Sequence, residues 1–295
     1  MARPYLGNPK YTIEVLQKYH FVFQKRFGQN FLIDEHVLEK IIESSGITKD
    51  DFILEIGPGI GTLTQQLALR AEKVTSVELD QRLLPILEET VGEFENLHIL
   101  HGDILQFDVP QLLEQEFAGL HVAVCANLPY YITTPALSAL IDSRCFQTIT
   151  VMVQKEVAHR ICAKAGTADY GAFSVYCQYH ARPSIVLDVP AGCFIPAPKV
   201  DSAVVRLDRY EQCPWQVEDE KLFFRVVKAA FAQRRKMLRG CLRHGFSQLD
   251  AQQIAGCLAQ AGLPDTVRGE QLDLAQFALL TQAVARALAQ QGENP

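Results

Sequence analysis

Four apolar runs in the first half of the chain each end in a glycine or a polar side chain. The runs start near residues 52, 74, 97 and 121, and each has the length of a buried strand. The segments between them repeat apolar residues with a helical period. Strands that alternate with helices predict an α/β fold with a mostly parallel sheet. Ligands bind such sheets at the carboxyl ends of the strands.

The first strand runs into a glycine-rich turn. Residues 52–57 lead into Pro58-Gly59-Ile60-Gly61, and the pattern predicts a helix from 62 to about 71. The spacing Glu-x-Gly-x-Gly-x-Gly differs from the Gly-x-Gly-x-x-Gly that holds a dinucleotide pyrophosphate. Gly57 and Gly59 let the backbone approach a cofactor that carries no phosphate, which favours S-adenosylmethionine over NAD. A glycine turn alone is weak evidence, since many are plain tight turns.

Carboxylates follow the second and third strands. Residues 74–80 end in Glu78-Leu79-Asp80, about 20 residues after the glycine turn, where an acid reaches ribose hydroxyls. Glu78 is the better candidate than Asp80, and as an acceptor-only group it can take both hydroxyl protons. The third strand leads to Gly102-Asp103-Ile104, where Asp103 can accept from an adenine amino group and Ile104 can pack on its face.

The fourth strand delivers Asn127-Leu128-Pro129-Tyr130. An adenine amine is a poor nucleophile because its lone pair is delocalised into the ring. The amide oxygen of Asn127 and a main-chain carbonyl of Leu128 or Pro129 can each accept one N–H and direct the lone pair at a methyl donor. Pro129 fixes the turn, and Tyr130 can stack on the base. By itself this tetrapeptide is better explained as a turn at a strand end, but four ligand-bearing strand ends together favour a site.

These motifs, in this order, resemble class I methyltransferases that use S-adenosylmethionine, and more closely the ribosomal RNA adenine dimethyltransferases. Three further stretches carry the resemblance: residues 24–32, 194–205 and 231–236. The chain is most similar to family members that dimethylate two adjacent adenines near the 3′ end of small-subunit ribosomal RNA during small-subunit biogenesis. We therefore expect a ribosomal RNA adenine N6-dimethyltransferase.

The resemblance implies a fold and a division into domains. The fold is a Rossmann-like sheet, mostly parallel with an antiparallel final strand, followed by a small all-helical domain. Residues 1–209 would form the S-adenosylmethionine-binding domain, in which 1–33 are an N-terminal extension and cofactor lid. Residues 210–295 would form the RNA-binding domain. The expected partner is small-subunit ribosomal RNA in an immature 30S-type particle, and the expected state is a cytoplasmic monomer.

The resemblance also implies roles for single residues. Asn30 and Leu32 would close over the methionine end of the cofactor, and Gly57 would line the methionine pocket. Glu78 would bind the ribose, Asp103 the adenine, and Asn127 would lie between cofactor and target amine. Taken alone, the stretch around Asn30 is only the approach to a helix that begins near Asp34, a plausible N-cap.

Later segments complete the predicted sheet. Thr134-Pro135 fits an N-cap and first-turn proline of another helix. Residues 148–153 are predicted as a fifth strand, and 185–189 and 202–207 as the closing strands. A polar stretch from 208 to 220 predicts a linker, after which the pattern is helical.

A basic segment follows the linker. Residues 222–249 contain no Asp or Glu. At about 100° per residue their basic side chains fall in one arc and apolar ones lie opposite; the basic ones are Arg225, Lys228, Arg235, Lys236, Arg239 and Arg243. Arg234 falls in the apolar arc, so we expect a break near Gln233. Most charge runs are solvated faces, but the missing acids favour RNA phosphate contact, which Lys25 and Arg26 would extend.

Composition narrows the function classes. The chain has 295 residues, 48% of them hydrophobic, with a net charge of -6, so indiscriminate polyanion binding is disfavoured. No segment resembles a signal peptide or a membrane span, and a cytoplasmic protein is the default. The eight cysteines form no CxxC and no metal-ligand spacing, so we predict reduced core thiols and no metal site.

Three alternatives stay open. The target could be large-subunit RNA, because the resistance-type relatives share the sheet motifs, or adenine in DNA, where Pro is more usual at the position of Leu128. A binding or assembly factor with secondary catalysis is a second class. A nicotinamide oxidoreductase is disfavoured by the glycine spacing.

Overall fold

The computed structural model describes residues 5–24, 27–118 and 120–292. The described residues fall into two compact units. The first comprises the residues through Ala158 together with Pro183–Arg209, and the second comprises His159–Arg182 and the chain from Tyr210 onward. The sequence interpretation assigned His159–Arg182 to the first domain, whereas here they belong with the helical unit.

Nine strands lie in the described chain and form two sheets. In chain order they are β1 (Phe31–Leu32), β2 (Phe52–Ile56), β3 (Lys73–Glu78), β4 (Leu97–His101), β5 (Val122–Asn127), β6 (Phe146–Gln154), β7 (Ala181–Val189), β8 (Phe194–Ile195) and β9 (Ser202–Arg209). β1 and β8 pair with each other, and the other seven form the main sheet. The sheet order is β4-β3-β2-β5-β6-β9-β7. The pairs β4-β3, β3-β2, β2-β5 and β5-β6 are parallel, and β9 is antiparallel to β6. The predicted fold class is confirmed.

The centre of this sheet creates the ligand crevice. The chain builds outward from β2 to β3 and β4, then returns to place β5 on the other side of β2. Ligands bind at such a reversal of strand order, beyond the carboxyl ends of the strands. Ile53, Leu54 and Val124 are at most 1% exposed, so β2 and β5 are buried, as parallel strands covered by helices should be.

Helices of the first unit connect these strands. They are α1 (Pro9–Lys18), α2 (Glu35–Ser45), α3 (Thr62–Ala68), α4 (Leu84–Val91), α5 (Val109–Phe117) and α6 (Thr133–Ser143). The Asp34 cap is confirmed, since its carboxylate accepts from the Val37 N–H at 3.0 Å. The predicted Thr134 cap is wrong. A short 3₁₀ turn, Tyr130–Ile132, continues directly into α6, so the helix begins at Thr133 without a side-chain cap.

The second unit is helical. Its helices are α7 (Lys155–Cys162), which begins in the first unit, α8 (Ala172–His180), α9 (Glu220–Phe231), α10 (Leu238–Gly245), α11 (Ala251–Gln260) and α12 (Leu274–Gly292). Tyr170 and Val175 are buried in the same core as Phe223 and Phe277, and the Tyr170 hydroxyl donates to the Leu272 carbonyl at 2.9 Å. This shared core explains why His159–Arg182 belong here.

The expected break in the basic segment is confirmed. α9 ends at Phe231 and α10 begins at Leu238, so Arg234 lies outside both helices. It is exposed, and its guanidinium contacts the Glu270 carboxylate at 3.3 Å. In the described parts of the chain, no helix combines the length and hydrophobicity that crossing a bilayer requires.

Candidate active site

A single cavity of the first unit gathers the predicted ligand residues. The empty space within it, including open solvent at its mouth, is about 930 Å³. All the residues predicted for cofactor and catalytic roles line it: Asn30, Leu32, Gly57, Gly59, Glu78, Asp103, Ile104, Asn127, Leu128, Pro129 and Tyr130. The carboxyl ends of β2, β3, β4 and β5 therefore meet, as the strand pattern predicts.

The glycine turn after β2 brings the backbone close to two other segments. Gly57 and Gly59 have φ angles of +70° and +63°, which L side chains rarely adopt. A Cβ atom at Gly57 would stand 3.4 Å from Pro129, and one at Gly59 would stand 3.0 Å from the Phe31 ring. A larger residue at either position would therefore take a strained backbone conformation, and at Gly59 it would also press against the Phe31 ring.

Glu78 presents a buried carboxylate at the end of β3. The side chain accepts from the Gly59 N–H at 3.2 Å and from the Asp80 N–H at 2.7 Å. Burial raises its pKa to about 7, although these N–H groups favour the charged form. The carboxylate retains lone pairs for ligand hydroxyls, because an ionised carboxylate accepts about four hydrogen bonds.

Asp80 has different partners. It lies outside the cavity lining, and its carboxylate accepts from the Arg82 guanidinium at 2.5 and 2.9 Å and from the Gln29 amide at 2.7 Å. Burial alone would raise the pKa of Asp80, but the hydrogen bonds from Arg82 and Gln29 hold it below its ordinary value. Of the two acids at the end of β3, Glu78 lines the cavity, whereas Asp80 is bound by other side chains of the protein.

The end of β4 supplies a second acid. One oxygen of Asp103 accepts from the Leu105 N–H at 3.0 Å and starts a short 3₁₀ turn, Ile104–Gln106. The second oxygen can accept from a ligand amine. Ile104 is 3% exposed and lines the cavity beside Asp103, so it offers an apolar surface to a flat ring.

Asn127 is held by a main-chain carbonyl. Its side-chain nitrogen donates to the Asn30 carbonyl at 3.4 Å. Because a carbonyl only accepts, this contact orients the amide so that the oxygen, Oδ1, remains available as an acceptor. The orientation is the one that binding an amine N–H requires.

The structure distinguishes the main-chain carbonyls of Leu128 and Pro129, the two candidates that the sequence offers for the second acceptor. The Pro129 carbonyl accepts from the Ile132 N–H at 3.1 Å and from the Thr133 hydroxyl at 3.4 Å. In the described chain, no hydrogen bond of this kind reaches the Leu128 carbonyl. The Leu128 side chain is buried at 1% exposure, which anchors the backbone at this point. Of the two carbonyls, that of Leu128 is therefore the one that accepts no such bond within the described protein.

Two aromatic residues follow this pair of acceptors. Tyr130 is half-buried, and its hydroxyl lies 2.6 Å from that of Ser202, which fixes the ring. Tyr131 also lines the cavity but is 49% exposed. Sequence reasoning did not select Tyr131. The sequence signal is its position directly after Tyr130, because the 3₁₀ turn Tyr130–Ile132 brings both rings to the same cavity.

None of the predicted RNA-binding residues that the structure describes is among the residues that line the cavity. Lys25 and Arg26 fall outside the described residues. The exposed residues Arg225, Lys228, Arg235, Lys236, Arg239 and Arg243 of the helical unit are called the basic surface below.

Two members of the basic surface have protein partners. Arg225 donates to the Gly245 carbonyl at 3.1 Å and lies 4.4 Å from the Phe246 ring centroid, and Arg239 is 3.5 Å from the Asp265 carboxylate. The side chains of the other four make no hydrogen bond or ion pair with the part of the protein that the structure describes.

Comparison with known proteins decides the family. A family model described as ribosomal RNA adenine dimethylase matches residues 20–279. The chain belongs to this family. The predicted family and enzyme class are thereby confirmed. Relatives within and around the family differ in the RNA that their names specify.

Two relatives match nearly full length. A protein named Ribosomal RNA small subunit methyltransferase A from Lachnoclostridium phytofermentans is 50% identical over 283 residues, covering 95% of this chain and 98% of that protein. Its namesake from Oceanobacillus iheyensis is 47% identical over 277 residues, covering 93% of this chain and 94% of that protein.

Solved structures of more distant proteins share the family's fold. The 23S rRNA methyltransferase ErmE matches with a TM-score of 0.68 and 26% identity, covering 87% of this chain and all of that chain. A dimethyladenosine transferase from Plasmodium falciparum matches with a TM-score of 0.71 and 24% identity, covering 87% of this chain and 98% of that chain.

Proposed function

We propose that this enzyme transfers methyl groups from S-adenosylmethionine to N6 of two adjacent adenines near the 3′ end of small-subunit ribosomal RNA. The observation that carries the proposal is the pair of acceptors at the end of β5, the Asn127 amide oxygen and the Leu128 carbonyl, in the same cavity as Glu78. The relatives at 47% and 50% identity are named for the small subunit, which supports that target over the large subunit.

The cavity fits S-adenosylmethionine. Glu78 would accept both ribose hydroxyls, and Asp103 would accept from the adenine amine while Ile104 packs on the ring. Gly57 and Gly59 line the cavity without a side chain, so the methionine portion would approach their backbone closely. Asn30 and Leu32 line the same cavity and would close over that portion.

The residues around the target amine would do two things. Asn127 and Leu128 would accept its two N–H groups, so that the nitrogen becomes pyramidal and its lone pair faces the methyl donor. Tyr130 would stack on the flipped base. When bound, S-adenosylmethionine supplies a methyl group on a positively charged sulfur. The nitrogen forms a bond to the methyl carbon as the bond between that carbon and the sulfur breaks. The amine then loses a proton without a strong base.

The second methylation of each adenine makes a further demand. A monomethylated amine keeps only one N–H, so one of the two acceptors would lose its donor. The open mouth of the cavity would have to admit the methyl already present. The same site would thus serve both transfers, but in the second transfer only one of the two acceptors would receive a hydrogen bond from the amine.

We further propose that the chain acts as a cytoplasmic monomer on an immature 30S-type particle. Residues 210–295, with the basic surface, would bind RNA phosphates, and Lys25 and Arg26 would extend that contact. Exposure of the basic surface and the scarcity of its protein partners support this role.

The test is methyl transfer from labelled S-adenosylmethionine to immature small subunits and, separately, to free large-subunit RNA. We expect label only in the small subunit, at two adjacent adenines near the 3′ end. Label in large-subunit RNA alone would assign the enzyme to the other target. A protein that binds small subunits without labelling them would be an assembly factor instead.

A further inference from the structure

The segment 27–32, called the strap below, covers one side of the active-site cavity. All six of its residues line the cavity. Its C-terminal end is fixed by β8: Phe31 and Leu32 pair with Ile195 and Phe194, and the Ile33 N–H donates to the Cys193 carbonyl at 2.9 Å.

The other end of the strap is fixed by side chains. The Gln29 side-chain amide nitrogen donates to the Asp80 carboxylate at 2.7 Å, and its side-chain oxygen Oε1 accepts from the Gln24 N–H at 2.9 Å. Asp80 is 4% exposed and is itself held by Arg82, which also donates to the Val22 carbonyl at 2.9 Å. Gln29 is therefore tied to a rigid, ionised anchor 51 residues away.

Asn30 lies between these two anchors. Its side chain donates to the Gly28 carbonyl at 2.9 Å, and its own carbonyl is the acceptor that orients Asn127. The direction of the Asn30 carbonyl is set by the peptide planes on either side of it, and so by the anchors at Gln29 and Phe31.

We propose that Gln29 and Asp80 are positioning residues for methyl transfer, which act through the Asn30 carbonyl on the Asn127 amide. This inference rests on the proposed function of the cavity. If the Gln29–Asp80 contact is lost, the Asn30 carbonyl turns, and the Asn127 amide rotates away from the orientation that accepts the target amine. The rate of methyl transfer then falls, while Glu78 and Asp103, which would bind the cofactor, do not move.

The test begins with an isosteric change. Q29E keeps the acceptor for Gln24 but replaces the donor to Asp80 with a second carboxylate. We expect kcat at saturating RNA and cofactor to fall roughly 10- to 100-fold, as for a misplaced catalytic group, while the dissociation constant of S-adenosylmethionine changes less than about threefold. Q115E makes the same change on the exposed face of α5 and should leave kcat unaltered.

A second change at the same contact tests the positioning role further. D80N should also lower kcat, and the double variant Q29E/D80N should lose no more kcat than the more impaired single variant, because both changes break one contact. Thermal unfolding midpoints check that each variant remains folded. If the losses of kcat multiply in the double variant, or if Q29E alone retains normal kcat, the positioning role is wrong. If cofactor affinity falls as much as kcat, the strap is a cofactor clamp and the link to Asn127 is refuted.

A double-mutant cycle tests the route through Asn127. Q29E should lower kcat in the wild-type background but cause no further loss in the Asn127→Ala background, because the group it positions is gone. Additive losses would overturn the proposal. Wild-type protein that labels no ribosomal RNA would instead refute the proposed function, so the two failures are distinguishable.

Discussion

The cavity of the first unit and the basic surface of the second unit hold their side chains in different ways. In the cavity, Asn127 and Glu78 are bound by main-chain groups at fixed distances. On the basic surface, Lys228 and Lys236 are exposed and extend into solvent. Directional chemistry needs the first arrangement, whereas attraction to a phosphate backbone needs only charge density. Single substitutions should therefore have large effects in the cavity and small, additive ones on the surface.

The largest effect is expected for Asn127→Ala. Loss of one preorganised hydrogen-bonding group in an active site costs about 10²- to 10³-fold in kcat, and single-turnover methyl transfer would measure it. Asn96→Ala is a matched control, because Asn96 donates to the carbonyls of Ala68 and Ala71 outside the cavity lining. It should lower thermal stability and leave kcat intact. Near-normal kcat in Asn127→Ala would remove the amide from the mechanism.

Tyr130→Ala should have the next largest effect. Loss of base stacking costs about 1 to 3 kcal/mol, or about 5- to 150-fold in kcat/KM for RNA. Tyr130→Phe keeps the ring and removes only the hydrogen bond with Ser202, so it should change kcat/KM little. Tyr131→Ala is the competing test: if it causes the greater loss, Tyr131 is the ring on which the base stacks.

Cofactor affinity should depend on pH through Glu78. Its pKa is about 7 without ligand, and ribose hydroxyls donate to the ionised form, so binding lowers that pKa. Affinity should be constant above pH 7 and fall up to about tenfold per unit below it, with protons released on binding near pH 7. Calorimetry in buffers of different ionisation enthalpy would measure both quantities.

Two variants assign this pH dependence. Glu78→Gln should bind the cofactor weakly with a flat pH profile. Burial raises the pKa of Glu55 to about 7 as well, and Glu55 lines the same cavity, so Glu55→Gln is the control and should keep the wild-type profile. A flat profile in Glu55→Gln would transfer the effect to that carboxylate.

The smallest effects are expected on the basic surface. Single Ala variants of Lys228, Arg235 or Lys236 should each weaken RNA binding a few-fold and reduce the slope of log affinity against log salt by about 1. Filter binding across a salt series would show it. Arg286→Ala removes the same charge from an exposed position of α12 and should change neither quantity. Unchanged slopes in all three variants would leave the surface without a role in RNA binding.

The sequence predicted most of the first region because its signals are local. Glu78, Asp103 and Asn127 each stand at a strand end, and strand ends of a parallel sheet share one edge. The break near Gln233 was equally visible, since Arg234 contradicts the helical pattern of its neighbours. Where a local pattern and the global fold agree, the pattern alone was sufficient to predict the position of these residues.

The parts that sequence missed depend on contacts between distant residues. No local rule joins Gln29 to Asp80 or directs the Asn30 carbonyl at Asn127. The Thr134 cap failed because a preceding turn already continued into the helix. α8 lies within residues 1–209, which the sequence interpretation assigned to the first domain, and its partners in the core of the second unit decide the assignment.

That assignment bears on how the protein is made. Residues 159–182 leave the ribosome well before the residues around Phe223 and Phe277 that bury Tyr170 and Val175. During synthesis the sheet unit can form while residues 159–182, which contain the end of α7 and all of α8, have no core to pack against. A chain cut after Arg209 would keep the strands of the methyl-transfer cavity yet carry an apolar segment with no core to join. Such a fragment should require a chaperone, or deletion of that segment, to remain in solution.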